Sequence, residues 1–324
     1  MPARHEPARA RPQQHGPKRA DRRGGSQSRT GRLTTGPGFI AVTFLYFFLA
    51  PIGSASAAGP VSVLYAGSLV NLMEHGIGPA FDKAAGDQFQ GYAGGSVGLA
   101  NQIKGKLRKG DVFISANPKV NDRLTGAANG DWVSWYIAFA QSPLVIGYSA
   151  SSKFAADFKT KPWYEVLAEP GMRIGRTDAK LDPKGALTVT LMQHAEAFYH
   201  KPGLAQQVLG PPENPAQVLP EETLVGRLQS GQLDVGFFYS TETADAKIPT
   251  IALPPAIAPK AVYTVTILQG APNAAGADQF VAFLLGTDGL ALLKEHGLTL
   301  QKMAVSGDGS AVPRDIKSLL GKAK

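Results

Sequence analysis

Short apolar runs alternate with amphipathic stretches along most of this chain, and that alternation predicts an α/β protein with largely parallel sheets. Residues 61–65 (Val-Ser-Val-Leu-Tyr) have the length and β-branched content of a buried strand. Residues 69–85 follow as a helix interrupted by Gly76 and Gly78, residues 87–92 as a weaker strand, and residues 97–107 as a helix that stops at the basic turn Arg108-Lys109-Gly110. A third strand covers 111–115, and Asn117-Pro118 opens the next helix. The pattern then restarts. Residues 144–148 and 172–176 are strands, 186–199 is a helix, and Pro211, Pro212 and Pro215 mark a loop. A helix at 221–228 leads to a strand at 235–240, with the last strands at 251–253 and 262–267. A helix over 277–296, broken near Gly286, closes the order, and there is no internal repeat. A doubly wound sheet of this kind places ligands beyond the carboxyl ends of its strands.

The N-terminal segment follows a different pattern. Residues 39–49 are apolar throughout, too short for an ordinary membrane span, and the small residues Ser54-Ala55-Ser56-Ala57-Ala58 come after them. With the basic stretch ahead of it, this predicts an export signal over residues 1–57, cut after Ala57. Nine Lys/Arg against Glu6 and Asp21 give residues 1–38 a charge of +7. Of the chain's +8, only about +1 is left for the 267 residues that follow. The basic balance therefore belongs to the leader and is no sign of nucleic-acid binding. Export without a single cysteine predicts a periplasmic protein held together by its core, long enough for two α/β lobes.

The candidate chemistry sits at two strand-to-helix turns, Tyr65-Ala66-Gly67-Ser68-Leu69 and Tyr92-Ala93-Gly94-Gly95-Ser96-Val97. At each, glycine lets the backbone approach a ligand, the helix start offers unpaired N–H groups, and serine adds a hydroxyl donor. Ser68 and Ser96 alone are ordinary helix caps, but together they predict donors converging on a small anion. Gly94–Gly98 also satisfies the G-x-S-x-G elbow of serine hydrolases. Its triad would need a histidine on a strand-to-helix loop, and His75, His194, His200 and His296 occupy no such place, so a hydrolase is the weaker reading. No spacing suits zinc and there is no Walker loop, so neither an enzyme nor a cofactor is expected.

The ordered set of short motifs resembles the molybdate- and tungstate-binding proteins of ABC importers. The matching pieces are Ala66-Gly67-Ser68-Leu69, then Gly95-Ser96 followed by Ala100-Asn101-Gln102-Ile103, and then residues 110–116 (Gly-Asp-Val-Phe-Ile-Ser-Ala). Further on come Gly175-Arg176-Thr177-Asp178 leading to Asp182-Pro183-Lys184-Gly185, and Gly236-Phe237-Phe238-Tyr239. The resemblance implies a type II periplasmic-binding fold, two doubly wound lobes joined by two crossovers. The lobes would divide as 58–141 with 257–324, and 142–256. It also implies a monomer that hands its anion to a membrane-embedded permease. Carried over residue by residue, Ser68 and Ser96 would donate from lobe one and Tyr239 from lobe two, with backbone N–H groups near Pro183-Lys184-Gly185 and Glu222-Thr223. Asp182, Lys184 and Thr223 complete the implied anion site. Relatives that make the bound centre six-coordinate supply an Asp and a Glu. Asp182 stands at the first position and Phe238 at the second, which implies tetrahedral binding. Lys184 replaces a small residue, and three roles are open to it: pairing with Asp182, standing in solvent, or reaching the anion. In the last case sulfate, phosphate or an organic anion becomes an alternative cargo.

Overall fold

Two sheets share one long strand. The computed structural model describes residues 59–86 and 88–320, so the export signal predicted over 1–57 lies outside the described residues. The strands are β1 Pro60–Ala66, β2 Gln88–Gly94, β3 Val112–Ser115, β4 Trp135–Tyr148, β5 Ile174–Gly175, β6 Val235–Tyr239, β7 Thr250–Ile251, β8 Lys260–Ile267 and β9 Thr299–Gly307. Their order is β2-β1-β3-β8-β4-β6-β5, with β7 and β9 also paired to β4. β2, β1 and β3 run parallel and β8 antiparallel to them. Residues 135–143 of β4 pair with β8 and β9, and residues 144–148 with β6 and β7. The change of partner falls directly after Pro143, which has no N–H to give a ladder. β4 therefore leaves the first sheet and enters the second without a loop. The chain returns to the first sheet through residues 252–259, which join β7 to β8.

The parallel runs are β2-β1-β3 in the first sheet and β5 with β6 in the second, while β4, β7, β8 and β9 pair antiparallel. In lobe one Phe81, Phe89, Phe280 and Phe283 form an aromatic core beneath β1 and β2, with ring centroids 5.1–5.9 Å apart. In lobe two Leu224, Leu228, Leu233, Phe238 and Ile248 form a smaller cluster. The interruption expected at Gly76 is a wide π turn, Met73–Ile77, inside one irregular helical run from Gly67 to Ala85. The predicted closing helix is two, Ala274–Leu285 and Thr287–Glu295, bent by 58° about Gly286. Two strand segments go beyond those the hydrophobic pattern predicts: the first half of β4 and all of β9. Their pairing with each other explains the difference. β9 is a mixed, half-exposed strand whose register comes from β4, and Trp135 and Tyr136 lie within the ladder itself.

An ion pair between the buried Asp234 and the half-exposed Arg173 fastens the second sheet. Asp234, just before β6, accepts from the Arg173 backbone N–H at 3.0 Å, from Arg173 Nε and Nη2 at 2.8 Å each, and from Ser152 Oγ at 2.8 Å. The Arg173 hydrogen bonds hold this carboxyl down at about 2. We expect Asp234→Ala to lower stability in urea unfolding by about 2–3 kcal/mol, because the Arg173 and Ser152 donors lose their acceptor. In the wild type this contribution is complete above the unfolded carboxylate value of about 3.9 and is lost only as pH falls through about 2.

Candidate functional site

The carboxyl ends of β1, β2, β3 and β6 converge where the two lobes meet, and each runs directly into a helix or turn. Lobe one contributes the turns Gly67-Ser68 and Gly95-Ser96, and Tyr263 from β8. Lobe two contributes the start of the helix Pro183–Tyr199, the turn Glu221–Thr223, Tyr239 at the end of β6, and the helix Ser240–Asp245.

Asp182 caps the helix that follows it, accepting from the Lys184 N–H at 2.6 Å, with Pro183 at the first position where a missing N–H costs nothing. Gly185 lets that helix start lie against residues 177–179, since a Cβ there would sit 2.5 Å from the Thr177 carbonyl. The tight approach drives the Lys184 side chain inward to full burial. Its ammonium donates to Glu242 Oε1 at 2.8 Å and Oε2 at 2.9 Å and lies 3.4 Å from Glu221 Oε1. Glu242 Oε2 also accepts from the Tyr239 N–H at 2.7 Å, so the acid is fixed by the turn it caps. Of the three roles open to Lys184, solvent exposure is excluded, and its direct carboxylate partners are the two glutamates rather than Asp182.

Burial pushes Asp182, Glu221 and Glu242 above the usual carboxylate range, Glu221 furthest and with the Asp182 charge adding to it. For Lys184 burial pulls downward, but Glu242, Glu221 and Asp182 together more than reverse it, and the ammonium is held above the ordinary lysine value. Tyr239 is buried with no hydrogen-bond partner for its hydroxyl, and Thr177 Oγ1, Asp182 Oδ2 and Glu221 Oε2 share that condition. The Tyr239 ring meets Tyr263 edge-on at 6.1 Å, and the Tyr263 hydroxyl is 3.0 Å from Ser68 Oγ. Ser68, Tyr263 and Tyr239 thus form one buried chain of hydroxyls and rings across the lobe boundary.

The remaining expected residues divide. Ser96 is fully buried and accepts from the Ala116 N–H at 3.1 Å, which leaves its own hydrogen to donate. Among the described residues no histidine bonds to it, as the elbow reading would require. Thr223 donates to the Pro220 carbonyl at 2.9 Å and its N–H is also used there, so Thr223 stands apart from the buried cluster. Glu221, Glu242 and Tyr263 join the site without having been expected from the sequence. Glu242 was within reach, since it lies three residues beyond the strand end Tyr239, the capping-box spacing. Glu221 and Tyr263 enter through tertiary packing alone.

The two lobes touch directly. The Gly98 N–H donates to the Leu181 carbonyl at 2.9 Å, and Asp245 Oδ2 accepts from Asn71 Nδ2 at 2.8 Å and lies 3.0 Å from His296 Nδ1. Clefts of about 390 and 410 Å³ open on either side of the buried cluster, the first past Ser68, Glu221 and Glu242, the second past Gly95, Asp182 and Glu221. Such a geometry offers a small ligand donors from both lobes beside a buried cluster.

Known proteins resemble this chain in sequence and fold. Residues 61–299 match the family of bacterial extracellular solute-binding proteins. The molybdate/tungstate-binding protein WtpA of Thermococcus kodakarensis is 28% identical over 281 residues, covering 72% of this chain and 78% of that protein. A solute-binding protein of Petrotoga mobilis is 27% identical over 297 residues, covering 80% and 89%. Among solved structures, the periplasmic molybdate-binding protein of Azotobacter vinelandii aligns with a TM-score of 0.58 at 22% identity, over 74% of this chain and 99% of that one. AfuA of Actinobacillus pleuropneumoniae, with fructose-6-phosphate bound, aligns at 0.55 and 16% identity over 74% and 85%, so the fold by itself leaves the cargo open. The matched span covers nearly everything from β1 to β9, and the chain belongs to the bacterial extracellular solute-binding proteins.

Proposed function

We propose that this protein captures a tetrahedral oxyanion, molybdate or tungstate, outside the cytoplasmic membrane and presents it to an ABC permease as a monomer. The observation that carries the reading is the buried, unpartnered Tyr239 hydroxyl, facing the Ser68–Tyr263 pair across the lobe boundary. A donor kept dry with no acceptor is costly unless a ligand completes it. The names of the relatives agree with the choice of anion. Closure of both lobes on the anion is the mechanism: contacts made to both lobes at once are what favour the closed state. The protein acts as a binder in this reading, and among the described residues no histidine bonds to Ser96.

Calorimetric titration of the purified protein with molybdate, tungstate, sulfate and phosphate tests this directly. Tight one-to-one binding of the first two supports the reading, and tight binding of sulfate or phosphate alone moves the cargo. Tyr239→Phe and Ser68→Ala are each expected to weaken molybdate binding by about 1–3 kcal/mol, the loss of one donor to a charged acceptor. Wild-type affinity in both variants places the anion elsewhere.

A further inference from the structure

Three carboxyls and one ammonium share the buried cluster, and the ammonium is already engaged by Glu242 and Glu221. Asp182 is left with a single donor, the Lys184 N–H. With both acids ionised, Asp182 Oδ2 and Glu221 Oε2 have no donor at all. The two carboxyls line one cleft, and the Asp182 charge adds to the burial that pushes Glu221 up. Two buried carboxyls with donorless oxygens, beside an ammonium already engaged, disfavour a second charge, so one proton is favoured on the pair.

The lobe-one turns close over this pair with backbone alone. A Cβ on Gly95 would lie 3.0 Å from Asp182 Oδ2, and one on Gly67 would lie 2.8 Å from Glu221 Oε2. The charged and titratable groups that face the pair are Lys184 on the helix Pro183–Tyr199, Glu242 on the helix Ser240–Asp245, Tyr239 on β6 and Tyr263 on β8. Asp178 and Glu222 stand at the rim of the adjoining cleft, and Gly67, Ser68, Gly95 and Ser96 bring no charge. A dianion entering here meets the negative charge that remains on the pair.

We propose that Asp182 and Glu221 form a proton-sharing carboxyl pair in the oxyanion cage, and that the protein takes up one proton with each dianion it captures. The inference rests on the function proposed above. The proton comes from solvent and forms an O–H bond on the carboxyl that was still ionised. Both acids are then neutral, and one of their hydrogens donates to an oxygen of the anion, in which no bond breaks. Burial, which holds Glu221 well above the carboxylate range, works in the same direction. A cage with a hydrogen to give at this point favours an anion made only of acceptors, such as molybdate, over hydrogen phosphate, which brings a hydrogen of its own.

Molybdate titrations at pH 7 in buffers of different ionisation enthalpy read the proton count. The expected result is uptake of about one proton per anion, with affinity falling about tenfold per pH unit on the alkaline side. Asp182→Asn combined with Glu221→Gln, neutral at both positions, should lose both the uptake and the pH dependence. Molybdate binding with no uptake in the wild type overturns the proton pair and leaves the oxyanion function standing. If no oxyanion binds, the function fails and the pair is read without ligand, in the wild-type minus Glu221→Gln infrared difference spectrum at pH 7. A protonated-carboxyl C=O stretch there supports the pair, and its absence overturns it.

Discussion

Replacing Lys184 with methionine is expected to cost about 3–5 kcal/mol of stability at pH 7, more than the loss of Asp234 from the ion pair of the second sheet. The ammonium is fully buried and is, among the described residues, the one cation paired with Glu242 and Glu221. Methionine fills much of the same volume, so the loss is electrostatic rather than a cavity. Glu242 retains the Tyr239 N–H, whereas Glu221 Oε2 has no hydrogen-bond partner and its Oε1 loses the ammonium. Stranded in this way, the carboxyls take up protons, and a folded state that binds more protons than the unfolded one gains stability as pH falls. The deficit in urea unfolding should therefore be smaller at pH 5 than at pH 7. Removing a charge from each side should restore most of the loss, so Lys184→Met with Glu242→Leu is expected to be more stable than Lys184→Met alone. A single variant as stable as the wild type at pH 7 would mean that the glutamates are already neutral.

Much of the architecture could be read from the hydrophobic pattern, because buried parallel strands and their covering helices are locally encoded. β1, β3 and β6 are nearly continuous apolar runs and fall within a residue or two of their expected places. β4 and β9 were harder to read because each takes its register from the other. The site divides in the same way. Ser68, Ser96, Asp182 and Tyr239 sit at helix starts and strand ends, positions marked by glycine, proline and capping chemistry. Lys184 was visible as a departure from the relatives, but its partners were not. Glu221 lies 37 residues away along the chain and Glu242 lies 58 away, and only folding places all three together. A surface lysine and a buried, acid-bound lysine look identical in one sequence.

Substituting Gly95 by alanine is expected to lower anion affinity by about tenfold to a hundredfold while leaving the fold of each lobe intact. Gly95 has φ −60° and ψ 127°, a conformation open to any residue, so alanine fits lobe one by itself. The obstruction lies across the cleft. The new methyl carbon would stand 2.8 Å from the Leu181 carbonyl oxygen, 3.0 Å from Asp182 Oδ2 and 3.2 Å from Asp182 Cβ, all in lobe two. A backbone carbonyl tied to the Gly98 N–H cannot swing aside, so overpacking of about 1–3 kcal/mol falls on the closed state alone. Gly67→Ala should lose less, because the nearest atoms it meets belong to the Glu221 side chain rather than to a backbone carbonyl. Gly98→Ala is the internal control: its Cβ would be 3.9 Å from the same Leu181 oxygen, an ordinary contact, and affinity should be unchanged. Titrations of the three variants, each with its urea midpoint, separate the lobes from their closure. Falling affinity in the order Gly98→Ala, Gly67→Ala, Gly95→Ala at constant midpoint is the mark of a trap that shuts along this seam. Full affinity in Gly95→Ala would mean that the anion is held without Leu181 and Asp182 coming to rest on the Gly95 turn.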